Sequence, residues 1–220
     1  PSSGARSDAA GFVSIPQSES VLRRMALALA SSRPVLLGGP TGCGKSMFAE
    51  AFAAECGMSI ISVQAADITS PYFGGSEQLL RHIFASARLA SPCVIVIDDV
   101  DTVFAQRNLT SLTARPHGGS GASSVSERLL STLLNELDGI GARGGTTEGS
   151  DDDGVFVVAT AASLGNIDAA LQRHGRLGTD IPVPLPTRDD CLCLLHMLSK
   201  KMPFASDVDF ETLATRLFPE

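Results

Sequence analysis

The 220-residue sequence predicts an α/β fold, in which helices cover both faces of a parallel β-sheet. The first observation is that short apolar segments alternate with amphipathic helical segments along most of the chain. The second is that residues 93–97 are apolar at every position, as in a central strand that is buried on both faces. A hydrophobic content of 44% with 19% charged residues agrees with a globular protein. Together these observations predict three layers, with the sheet in the middle.

The predicted helices and strands follow one another in a regular order. Apolar residues three or four positions apart predict the helices, and short apolar runs predict the strands. In chain order we expect a helix at 18–30, a strand at 35–37, a helix at 45–56, a strand at 60–63, a helix that starts at Ser76, a strand at 93–97, a helix at 124–137, and strands at 155–160 and 181–185. Pro182 and Pro184 restrict the last strand to a sheet edge. Residues 107–124 and 141–154 are low in complexity and predict solvated loops.

The chain divides into two predicted parts. Residues 1–186 would form the α/β unit, and residues 187–220 would begin a small helical lid that the chain leaves unfinished. From Asp189 onward the apolar residues recur at helical spacing. Because the chain starts at Pro1 rather than Met, we interpret it as part of a longer protein.

Charge and composition count against several classes of protein. The net charge of −7 argues against nucleic acid as a direct ligand, and no Lys/Arg cluster suggests a local basic surface. No apolar run approaches the ~20 residues that a membrane span requires. The five cysteines are odd in number and lack paired zinc spacing, which predicts reduced thiols in a cytoplasmic or nuclear protein.

A glycine-rich segment at residues 39–46 fits the phosphate-binding motif G-x-x-x-x-G-K-[ST], between a predicted strand and a predicted helix. Glycines allow main-chain N–H groups to turn toward phosphate oxygens, and the helix N-terminus adds a favourable dipole. Lys45 would bridge the β- and γ-phosphates of ATP, and Ser46 would place its hydroxyl on Mg²⁺. The alternative is a glycine-rich turn with a chance Lys-Ser pair. The predicted nucleotide-binding residues are Gly39, Pro40, Thr41, Gly42, Cys43, Gly44, Lys45, Ser46 and Met47.

Two aspartates directly follow the apolar run at residues 93–97. Ligands of open α/β sheets bind at the carboxyl ends of strands, so Asp98 and Asp99 would face the nucleotide. We expect Asp98 to hold Mg²⁺ through water and Asp99 to orient the attacking water. The alternative is that the pair only caps the helix that follows.

With both nucleotide motifs in place, the chain from Arg33 onward resembles the AAA family of ATPases, in particular the second ATPase module of the valosin-containing-protein type. The sequences of several segments are most similar to the spermatogenesis-associated protein 5-like branch. The segments that carry the resemblance are the aromatic–hydrophobic–glycine pore loop at Tyr72, Phe73 and Gly74, the sequence NELDG at residues 135–139, and the sequence DAALQRHGRL at residues 168–177.

The resemblance implies the P-loop NTPase fold of the AAA large subdomain and hexameric rings of identical or related subunits. It also implies ATP hydrolysis at subunit boundaries and remodelling of a protein or ribonucleoprotein client; for that branch, it implies a part in large ribosomal subunit maturation. Arg173 and Arg176 would reach the γ-phosphate bound by the neighbouring subunit, as arginine fingers. Tyr72 would grip a threaded polypeptide. Two ordinary surface arginines and a packed aromatic side chain are the alternatives.

Two positions depart from the family pattern. The second acidic residue is usually Glu, and Asp99 is shorter by one methylene, so its carboxylate would lie more than about an ångström from the usual place. A misplacement of about that size can cost ~10²-fold in rate. The family's polar sensor, an Asn after Ala-Thr, is replaced by Ala161, with Thr160 and Asn166 as candidate substitutes.

Two function classes therefore remain open, and a third is weaker. The favoured hypothesis is an active remodelling ATPase. The second is a hydrolysis-impaired module that binds ATP to hold a ring together, which Asp99 and Ala161 support. A DNA-handling AAA protein is the third, and the negative charge counts against it.

Overall fold

The computed structural model describes residues 16–69, 74–105, 120–143, 154–199 and 209–217. Within these ranges the chain alternates between helices and strands, as the sequence predicts. The helices are α1 (Pro16–Ala30), α2 (Lys45–Glu55), α3 (Gly75–Leu89), α4 (Ser120–Arg143), α5 (Arg188–Ser199) and α6 (Phe210–Leu217). The strands are β1 (Val35–Gly38), β2 (Ser59–Gln64), β3 (Cys93–Asp98), β4 (Val155–Ala161) and β5 (Thr179–Pro182).

The five strands form one parallel sheet in the order β2-β3-β4-β1-β5. This arrangement confirms the predicted fold class. Strand β5 lies at an edge of the sheet, where Pro182 can be accommodated because no further strand needs its missing N–H.

The apolar run of β3 is explained by packing on both faces of the sheet. Ile95 and Ile97 belong to a core on one face, which also contains buried residues of α3 and α4. Val94 and Val96 belong to the core on the other face, with residues of α1 and α2. Because successive side chains of a strand point to opposite faces, both sets must be apolar.

Helix α4 is longer than predicted at both ends. It begins at Ser120 rather than residue 124 and ends at Arg143 rather than residue 137, so the predicted loops at 107–124 and 141–154 are wrong where they overlap it. Glycines and serines lower the local helix propensity there. Ile140 is nevertheless 6% exposed and continues the buried face of the helix, so tertiary packing favours the longer helix. The rest of both predicted loops lies outside the described ranges, apart from Gly154, which directly precedes β4.

The described residues after 187 include α5 and α6, whose side chains meet at the His196–Phe210 ring contact. The division of the chain at residue 186 remains a prediction. Among the described residues, no helix combines the length and apolar character needed to cross a membrane.

Candidate functional site

The segment from Gly39 to Gly44 forms the loop that joins β1 to α2. Gly42 and Gly44 have φ angles of 84° and 89°, in the left-handed region that glycine adopts at low cost. A Cβ on Gly39 would lie 2.1 Å from the carbonyl oxygen of Val183, so only glycine fits against that main chain. The loop is therefore shaped by main-chain requirements at the positions where the phosphate-binding motif places glycine.

The ammonium group of Lys45 lies within this loop. Its side chain begins the first turn of α2 and is 7% exposed. Nζ donates hydrogen bonds to the carbonyl oxygens of Gly39 (2.8 Å) and Pro40 (3.0 Å). The loop thus holds a buried positive charge at the N-terminus of a helix, where main-chain N–H groups and the helix dipole also favour an anion.

The other predicted loop residues differ in their exposure. Pro40 and Thr41 are exposed, Cys43 is half-buried, and Met47 is 42% exposed on the first turn of α2. All five cysteines are free thiols, as the sequence predicts.

Ser46, the last residue of the phosphate-binding motif, contacts Asp98, the last residue of β3. The Ser46 hydroxyl donates a hydrogen bond of 2.9 Å to Oδ1 of Asp98, at the carboxyl end of β3. A hydroxyl and a carboxylate beside a phosphate-binding loop are oxygen ligands of the kind that Mg²⁺ prefers when phosphates supply the rest of its coordination. The residues present therefore fit a Mg²⁺–nucleotide complex.

Thr160 joins the two aspartates to β4. Its hydroxyl donates to Oδ1 of Asp98 (2.9 Å), and its oxygen accepts the main-chain N–H of Asp99 (3.0 Å). The sequence identified Thr160 only as a candidate sensor. Its actual partners follow from the β3–β4 register, in which Ile97 pairs with Ala159, so that Asp98 and Thr160 each directly follow a paired residue.

Asp99 leaves the sheet in a left-handed conformation, with φ 53° and ψ 49°. Aspartate tolerates this region better than most residues other than glycine. Asp99 is exposed and precedes the short 3₁₀ helix Val100–Thr102, whose Thr102 hydroxyl donates to the Asp99 carbonyl oxygen (2.7 Å). The turn therefore separates its side chain from the sheet and leaves it accessible to solvent.

The position at which the family resemblance predicts a polar sensor is buried and apolar. Ala161 has no exposed surface, and its carbonyl oxygen accepts the N–H of Gly39 at 3.1 Å. Its side chain can make no hydrogen bond. Asn166, the other candidate substitute, is exposed in the 3₁₀ helix Leu164–Asn166.

Asp101 supports the main chain after β4, a role that the sequence does not predict. Its Oδ2 accepts the N–H groups of Ala162 (3.1 Å) and Ser163 (3.3 Å). No motif spacing marks this role, since it depends on how the turn after β3 packs against the end of β4.

Arg176 is held in place by two groups of its own chain. Its Nε and Nη2 each donate a 2.7 Å hydrogen bond to the carboxylate of Asp138 on α4, and Nη1 donates to the Ala170 carbonyl oxygen (2.9 Å). These hydrogen bonds lower the pKa of Asp138 and raise that of the Arg176 guanidinium. Arg173 is exposed on the same loop. The sequence had linked residues 135–139 to the family but had not assigned Asp138 a partner.

The two arginines lie near the amino end of β5, away from the phosphate loop. Arg176 comes three residues before Thr179, which pairs with Val35, the first residue of β1. It also lines a cavity of about 650 Å³ with the segment Ser31–Arg33, which precedes β1. The phosphate loop instead follows Gly38, at the carboxyl end of β1. The structure therefore places the two predicted halves of the catalytic machinery at opposite ends of the sheet.

Two of the three predicted pore-loop residues, Tyr72 and Phe73, lie outside the described residues. Gly74 precedes α3 with a φ of 77°.

Comparison with known proteins identifies the family. The sequence model of the family "ATPase family associated with various cellular activities (AAA)" matches residues 35–185. The human protein named ATPase family gene 2 protein homolog B is 36% identical over 198 residues, which cover 86% of this chain and 25% of that protein. Two proteins of Dictyostelium discoideum are each 35% identical: "Putative ribosome biogenesis ATPase nvl", over 87% of this chain and 20% of that protein, and "Peroxisomal ATPase PEX1", over 82% and 13%.

The chain thus spans about a quarter or less of the length of these relatives. The resemblance to the AAA family, including its spermatogenesis-associated protein 5-like branch, is confirmed by these matches. On its phosphate loop, its parallel sheet and its relatives, the chain belongs to the AAA family of ATPases.

Proposed function

We propose that this chain binds Mg-ATP at a boundary between subunits of a hexameric ring and couples hydrolysis to remodelling or threading of a protein or ribonucleoprotein client. The observation that carries the proposal is the Ser46–Asp98 hydrogen bond of 2.9 Å beside the Lys45 loop. It joins the two nucleotide motifs, 52 residues apart in sequence, into one site.

Each part of the site has a distinct role in this proposal. Main-chain N–H groups of the loop bind the phosphates, and Lys45 bridges the β- and γ-phosphates. Ser46 would hold Mg²⁺ directly and Asp98 would hold it through water; when bound, the ion would neutralise charge on the phosphate oxygens. Asp99 orients the attacking water and accepts its proton.

The location of the arginines supports a role in a neighbouring active site. Val35 and Gly38 are separated by roughly 10 Å along β1 at ~3.3 Å per residue, so an arginine near the amino end of the strands lies at a distance from its own phosphate loop. Asp138 holds two donors of Arg176, which fixes the direction of its guanidinium group. Arg173, being exposed, can extend further. We propose that both act in trans, on the γ-phosphate bound by the next subunit.

The names of two relatives support a remodelling activity, since one is called a ribosome biogenesis ATPase and the other a peroxisomal ATPase. For this chain we propose Tyr72, Phe73 and Gly74 as the client-gripping loop and a cytoplasmic or nuclear location.

The second candidate function is an ATP-holding ring component with impaired hydrolysis. It is favoured by the shorter carboxylate of Asp99 and by the buried, apolar Ala161 at the sensor position. In this alternative the loop, Ser46 and Asp98 bind nucleotide as above, and Arg173 and Arg176 serve the neighbouring subunit.

A mixing experiment tests action across the subunit boundary. A full-length variant that carries both Arg173→Ala and Arg176→Ala binds ATP but supplies no finger, and a Lys45→Ala variant supplies both fingers but binds no ATP. Each variant alone should be inactive, and mixed rings should regain ATPase activity because mixed boundaries contain both parts. If Arg176 acted within its own chain, mixing would restore nothing and the proposed boundary site would be wrong.

A further inference from the structure

Thr160 occupies a central position among the strands that carry the site. It lies on β4, which pairs with β1 on one side and with β3 on the other. It faces Leu37 of β1, and its hydroxyl reaches both aspartates at the end of β3. Thr160 is 1% exposed, so these partners replace water for its hydroxyl group.

The hydrogen-bonding capacity of this hydroxyl excludes one role and indicates another. A threonine hydroxyl has one proton to donate. That proton is donated to Oδ1 of Asp98, so none remains for a γ-phosphate or for the attacking water. Thr160 therefore does not replace the polar sensor in this arrangement.

We propose that Thr160 is a positioning residue for the metal-binding carboxylate of Asp98 and for the main chain of Asp99. The inference rests on the proposed Mg-ATP site. Oδ1 of Asp98 accepts hydrogen bonds from the hydroxyls of Ser46 and Thr160, so the carboxylate cannot rotate without losing both. Partners that orient a metal ligand in this way usually contribute strongly to metal affinity.

The second bond of Thr160 acts on Asp99. A residue other than glycine at φ 53° is held in an unfavourable conformation, and the hydrogen bond from its N–H to Thr160 stabilises it. One buried hydroxyl thus couples the orientation of Asp98 to the turn that presents Asp99.

The test measures how strongly Mg²⁺ raises the affinity of the full-length protein for a fluorescent ATP analogue. Thr160→Val keeps the shape of the side chain and removes both hydrogen bonds. We expect the apparent Mg²⁺ affinity to fall by ~10- to 100-fold, with ATP affinity in excess EDTA unchanged. Thr160→Ser retains the hydroxyl and should restore the native Mg²⁺ response.

Thr132→Val is the matched control. Thr132 is a second buried threonine, 6% exposed, whose hydroxyl donates to the carbonyl oxygen of Arg128 within α4. This variant should keep the native Mg²⁺ response. Equal losses in both variants would show a general effect of removing a buried hydroxyl and would overturn the proposal.

Two further outcomes separate this inference from the proposed function. Absence of ATP binding by the native protein would refute the nucleotide site itself. A native Mg²⁺ response in a folded Thr160→Val or Thr160→Ala protein would overturn the role of Thr160 alone. Thr160→Ala adds no atoms to the core, so it provides the measurement if the valine variant does not fold.

Discussion

At the scale of single residues, the proposed nucleotide site depends on Lys45, Ser46, Asp98 and their contacts. Lys45 and Ser46 are predicted from motif spacing, and Asp98 is predicted from its place at the carboxyl end of an apolar strand. The loop geometry and the Ser46–Asp98 bond agree with that spacing. The contacts of Thr160, Asp101 and Asp138 were not predictable, since they depend on strand register and turn packing.

Lys45→Ala should abolish ATP binding by the full-length protein, because it removes the buried cation held between the Gly39 and Pro40 carbonyl groups. Equilibrium titration with a fluorescent ATP analogue checks this. Arg23→Ala, which removes an exposed cation from α1, is the charge-matched control and should bind as the native protein does. Retained affinity in the Lys45 variant would refute the phosphate-loop assignment.

At the scale of elements, the central strands were the most predictable part of the fold. Strands β1, β3 and β4 are buried at nearly every position, so their sequences are continuous apolar runs. The ends of α4 were not predictable from local sequence, because glycine and serine disfavour a helix there while packing of Ile140 stabilises one. The capping of α5 has a local signal: Thr187 and Asp190 exchange hydrogen bonds around its first turn.

Ile95→Ala should destabilise the sheet by about 2–5 kcal/mol, because Ile95 has no exposed surface and its removal leaves a cavity in the core. Hydrogen exchange of the β3 and β4 amides in the full-length protein measures the loss of protection.

Ile60→Ala makes the same chemical change on β2, where the side chain is 42% exposed. It should cost much less free energy. Similar losses of protection in the two variants would contradict the central position of β3 in the sheet.

At the scale of the whole molecule, the main feature is the separation of the phosphate loop from Arg173 and Arg176. The loop follows the carboxyl end of β1, whereas the arginines precede the amino end of β5. A subunit with this arrangement offers a nucleotide site on one side and arginine donors on the other. Rings are the symmetric assemblies that bring such different surfaces together repeatedly. This arrangement supports the proposal of an active site between subunits.

The fold was thus predictable from residues within one chain, as was the proximity of Ser46 to Asp98, whereas their roles in nucleotide binding stay predictions. The arginine half was predicted from resemblance alone, because its position relative to the loop is a property of the sheet as a whole. The client and the composition of the ring stay proposals, because this chain spans a quarter or less of its relatives.

The most direct test is the steady-state ATPase turnover of the full-length protein in Mg²⁺, measured beside Lys45→Ala and Asp99→Glu variants. We expect turnover well above that of the Lys45 variant, with Asp99 orienting the attacking water. The contrary result is a native protein that binds ATP but turns over no faster than the Lys45 variant and becomes active only as Asp99→Glu. This result would contradict the proposal of an active remodelling ATPase and favour an ATP-holding ring component.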